Sequence, residues 1–117
     1  MAVNPATFLS VPNSAVAGLA NNVQGSASKG EGETLRFAMD FGNEPLLIAG
    51  AEITAQTVTC PDPGGPTVSG VSLDAPYQVS AKVSGGLAGN NYNLVYTITL
   101  DDDDASVIVR TAALSVT

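Results

Sequence analysis

The chain has 117 residues, enough for one domain but not comfortably for two. Its net charge of −7 sets 11 carboxylates against only Lys29, Arg36, Lys82 and Arg110, too scattered to follow a phosphate backbone, which argues against nucleic-acid binding. Histidine is absent and Cys60 is the single cysteine, so Ser-His-Asp and Cys-His catalysis, the commonest transition-metal ligand and any intrachain disulfide are all excluded.

Apolar residues make up 44% of the chain but aromatics only 5%, with no Trp, so a core has to be built from Val, Leu, Ile and Ala. Abundant Thr, Ser, Val and Gly favour strands joined by turns over helices. The N-terminus lacks a basic n-region and a long apolar h-region, and no stretch has the length of a membrane span. The expectation is a protein made in the cytoplasm and not exported through a signal peptide, with no membrane partner.

Residues 1–32 differ from the rest. Apolar residues stand singly among Pro, Asn, Ser and Gly. Asn13 or Ser14 is placed to cap one helical turn over Ala15–Ala20, weakened by Gly18, and GSASKGEG at 25–32 reads as a flexible linker. Phe8, Leu9, Val11, Val16, Leu19 and Val23 are more than a solvating tail needs. The two readings of this arm are a disordered tail and a segment that orders on a partner.

From residue 33 the pattern turns to period two. Leu35, Phe37, Met39 and Phe41 share one face of ETLRFAMDF. After turn chemistry at Gly42–Pro45 and a short apolar run comes a strand over Ile53–Thr59. PDPGGP at 61–66 breaks the chain, TVSGVSL is a weak strand, and YQVSAKV alternates from Tyr77 to Val83. Tyr92, Leu94, Tyr96, Ile98 and Leu100 alternate over the next strand, DDDD turns the chain, and SVIVRTAALSVT closes it. Val107 and Val109 have the opposite parity to Leu114 and Val116, which predicts a bulge near Arg110–Ala113. The whole reads as all-β: an antiparallel immunoglobulin-like β-sandwich of about seven strands over 33–117, with 1–32 as an extended N-terminal arm.

The stretch GGLAGNNYNLVYTI suggests a tyrosine corner, the device by which a tyrosine hydroxyl ties down a backbone arch between sheets. Leu87 is expected to plug the arch, Gly89 to supply unusual dihedrals and Tyr92 to close it. Together, ETLRFAMDFGNEPLLIAGAEITAQTVT, VSGGLAGNNYNLVYTITLDD and RTAALSVT resemble a family of small immunoglobulin-like structural modules of tailed-bacteriophage virions. The resemblance rests on Asp40 and Phe41, on Leu47, Gly50 and Ile53, and on Gly85, Gly86, Ala88, Gly89 and Tyr92. It covers residues 33–117 and implies a virion accessory protein: a decoration, neck or tail-fibre component.

Little chemistry is legible. Cys60 has no activating base and reads as a structural thiol. GGLAGNN precedes a strand, so it cannot aim a helix N-terminus at phosphate. Asp101–Asp104 carry oxygen ligands in principle but lack calcium-loop spacing, and read, like Asp62, as solvated acid. The sequence therefore predicts a non-enzymatic structural protein without cofactor, metal or catalytic residues. It is expected in the virion, bound to capsid, neck or tail proteins through Phe8, Leu9, Val11, Val16, Leu19 and Val23, and forming a homo-oligomer, a trimer being one arrangement. The alternative is an adhesin module touching host glycans or proteins through its loops.

Overall fold

A computed structural model describes residues 6–9, 23–75 and 77–117, with side chains at all of these except 6, 7, 9, 23, 24 and 75. The strands are β1 (Ala6–Leu9), β2 (Val23–Lys29), β3 (Thr34–Asp40), β4 (Ile53–Thr59), β5 (Thr67–Ala75), β6 (Gln78–Ser84), β7 (Asn91–Leu100) and β8 (Val107–Val116). They form two four-stranded sheets, β1-β3-β6-β5 and β2-β8-β7-β4, packed face to face as a β-sandwich. One short helix, α1 (Pro45–Ile48), crosses from β3 toward β4. Pro45 opens it, the Glu44 carbonyl accepts from the Leu47 and Ile48 amides at 3.1 and 3.0 Å, and Leu47 is buried.

Alternation builds the core. β3 contributes Phe37 and Met39, with Phe41 just beyond; β6 contributes Val79, Ala81 and Val83; β7 contributes Tyr92, Leu94, Tyr96, Ile98 and Leu100. Each fully buried Val, Leu, Ile, Phe or Met among these stabilises the fold by about 1.5–3 kcal/mol. Tyr96 lies at the centre, fully buried, and its hydroxyl donates to the Phe37 carbonyl at 3.0 Å.

Three expectations need correcting. The linker at 25–32 is instead largely strand: β2 pairs parallel with β8 from Val23↔Thr111 to Lys29↔Val116, and Lys29 is buried. Phe8 does not wait for a partner. β1 pairs parallel with β3, and Phe8 enters the core 6.4 Å from Phe37 and 6.5 Å, edge-on, from Tyr96. Gly25 makes room for it, since a Cβ there would stand 3.1 Å from the ring. The N-terminal strands therefore close the β1/β2 flank of the sandwich, so residues 6–9 and 23–29 belong to the same structural unit as 33–117. Short strands poor in alternation are hard to see in sequence because pairing, not pattern, holds them.

The third correction concerns β8. It pairs with β7 without interruption from Thr99↔Val107 to Asn91↔Ser115, so β8 carries no bulge against β7; the register shift falls instead on β2, between Val23 and Ser26 opposite Thr111–Ala113. Ile108, Ala112, Leu114 and Val116 face inward, while Val107 and Val109 stand on the outer face, 58% and 44% exposed. The apparent shift of parity was two valines facing solvent. The helical turn expected over 15–20, and Val11, Val16 and Leu19, lie outside the described residues; Leu9 and Val23 are placed in strands, but their side chains are not described.

Candidate functional site

The strand directions sort the loops into two ends. One end holds the 60–66 turn, the 85–90 corner and the C-terminus; the other holds α1, the β5–β6 turn and the acidic loop.

At the first end, Tyr92 is buried and its hydroxyl accepts from the Leu87 amide at 3.1 Å. Gly89 has φ +89 and its amide donates to the Val116 carbonyl at 2.7 Å, tying the corner to β8. The Leu87 side chain does not plug the arch, being 60% exposed. Gly86 takes that position with φ +89, where a Cβ would meet Val116 at 3.0 Å and the Tyr92 ring at 3.3 Å. The arch is too tight for a leucine beneath it. Asp62 is no idle carboxylate: it accepts from the Asn93 amide at 2.7 Å and so fastens the proline-rich turn to β7. Burial, followed by the neighbouring Asp62 charge, pushes the Cys60 thiol up, which favours its protonated form.

At the opposite end, Glu44 and Arg110 form a buried bidentate pair with N–O distances of 2.8 and 3.0 Å. Each is a single charge in its segment, and nothing in the sequence pairs them. Asp101 exchanges hydrogen bonds with Glu52, its carboxylate accepting at 2.8 Å and its amide donating at 3.0 Å, which ties β7 to β4. Asp102 accepts from the Ser106 amide at 2.7 Å and hydroxyl at 2.5 Å; these bonds hold its carboxyl below the usual range. Ala105, with φ +48, completes the turn. Asp101 and Asp102 thus serve different segments, and among the described residues no three acidic or sulfur ligands converge as a metal would require.

On the outer face of the first sheet, Arg36 donates to the Gly70 carbonyl and to Ser80, each at 2.9 Å, while Ser72 and Ser80 donate to Asp74. This network joins β3, β6 and β5. It is a strand tie that binds Arg36, Ser72, Ser80 and Asp74 across three strands.

Among the described residues, a cleft of about 170 Å³ lies on the β4/β5 flank of the acidic end, lined by Glu52, Ile53, Leu73 and Tyr77. Leu73 and Tyr77 are 40% and 39% exposed, and Leu46 and Ile48 on α1 are exposed at the same end.

Ties at both ends and a thiol favoured in its protonated form describe a β-sandwich scaffold. The family comparison makes this specific: the model of the podophage GP4 fiber-tail adaptor protein gp77 matches residues 29–113. The chain belongs to that family and is a structural protein of the phage tail. Among solved structures, the crystal structure of the cysteine protease inhibitor EhICP2 from Entamoeba histolytica is similar, with TM-score 0.50 and 9% identity over 96% of each chain. At that identity the likeness is one of fold alone. No curated protein sequence matches the chain.

Proposed function

We propose that the chain bridges the tail fibre and the tail body as a rigid, non-catalytic spacer, which narrows the broader decoration, neck or fibre reading. The observation that carries this is the family match over most of the sandwich. A bridge needs two separate surfaces. One of them is assigned to the segment between β1 and β2, which includes Val11, Val16 and Leu19: no charged side chain occurs before Lys29, and its ends are held by pairing to β3 and β8. Copies are arrayed about the tail axis, where homo-oligomer contacts form.

Inactivating the gene in the phage that encodes it tests the reading. Particles should assemble with filled heads and tails but without fibres, visible by cryo-electron microscopy and by loss of the fibre band from purified virions. Fibres retained at normal occupancy would refute it.

A further inference from the structure

Most of the chain's net charge gathers at one end. The Glu44 and Arg110 charges cancel, and Asp40, Glu52 and the Asp101–Asp104 run remain beside them. Asp74 shares its Ser72 and Ser80 partners with Arg36, and elsewhere Glu31, Glu33 and Asp62 stand against Lys29 and Lys82. The apolar cleft opens at this same end. Its walls are the first residue of β4, the outer part of β5 and the turn before β6. Its volume suits one ring or one branched side chain, since about 150 Å³ accommodates a benzene. Its rim carries Glu52, whose backbone is fixed to Asp101.

From this juxtaposition we infer that the acidic end docks a basic protein segment of the tail or fibre, one that inserts a single aromatic or leucine side chain between Leu73 and Tyr77 and sets lysines or arginines against Glu52 and the Asp101–Asp104 loop. The inference rests on the bridging function and supplies its second surface, on the flank opposite β1 and β2. Charge complementarity selects the occupant. A second copy would bring two acidic ends together, whereas a cationic segment is steered toward the cleft and held by its apolar anchor. The rigidity of the rim means that little ordering cost is incurred on binding.

The test uses the full chain with the purified fibre protein and purified tail proteins of the same phage, measured by biolayer interferometry. One of these partners should bind, and the affinity should fall steeply as salt rises from about 50 to about 300 mM, where the Debye length shortens. Leu73→Ser with Tyr77→Ser should weaken binding about tenfold or more, as loss of a buried anchor does. Asp103→Lys with Asp104→Lys should slow association, while Leu87→Ser at the other end should leave binding unchanged. All variants replace exposed side chains, and unchanged circular-dichroism melts show that they fold. A wild-type chain that binds, with cleft variants binding equally well, overturns the docking site and leaves the bridge standing. A wild-type chain that binds neither partner overturns the bridge, and the docking site with it.

Discussion

Replacing Arg110 with methionine keeps most of its stem but removes the cation that meets Glu44 across 2.8 Å. Glu44 is 2% exposed and Arg110 12%, so solvent does little to screen the pair. Breaking a buried pair from one side costs about 3–5 kcal/mol. Glu44 keeps a further interaction, which places the cost at the low end, about 3 kcal/mol. For 117 residues the unfolding entropy is about 250 cal/mol/K, so each kcal/mol shifts Tm by about 4 °C. Arg110→Met should therefore melt about 12 °C below the parent by circular dichroism. Glu44→Leu combined with Arg110→Met should recover at least half of that, because a hydrophobic replacement removes the desolvation cost of both charges. A fall of less than about 3 °C for the single variant would show that solvent reaches the carboxylate and that the pair contributes no more than a surface one.

Tyr92→Phe removes the acceptor for the Leu87 amide and should cost about 1 kcal/mol in urea unfolding with an unchanged m-value; a neutral result would make the corner a matter of ring packing alone. The Asp102 carboxyl is held down by Ser106, so its contribution is present above the unfolded pKa of about 3.9 and is lost as pH falls through the folded value. Asp102→Asn should flatten the fall of Tm in that acidic range, and an unchanged profile would reject the role of the Ser106 bonds. Phe8→Ala should destabilise by about 3 kcal/mol, and deletion of residues 2–28, which removes β1 and nearly all of β2, should abolish cooperative melting; a truncated chain that melts like the parent would return the arm to independence.

The sequence carried the sandwich because half-buried strands print their face as period two. The alternation from Tyr92 to Leu100 became the buried row of β7, and Ile53–Thr59 became β4. It failed where the cause lies between strands. β2 has Gly, Ser and Ala where a pattern would need Val or Leu, and its order comes from β8 and from the Phe8 ring lying against Gly25. At β8 the rule that apolar means inward misled, since Val107 and Val109 face solvent and the polar Arg110 turns inward.

The proposed docking surface was hidden for a related reason. Asp40, Glu52, Asp74 and Asp101 are far apart in the chain, and only antiparallel connection brings the ends of β3, β5 and β7 and the start of β4 to one side. Each carboxylate alone is an ordinary turn residue, and the composition reports only their sum. Topology converts that sum into a direction. A chain that gathers most of its net charge at one end presents two chemically different ends, and under the proposed bridge that difference would keep two unlike partners from exchanging places.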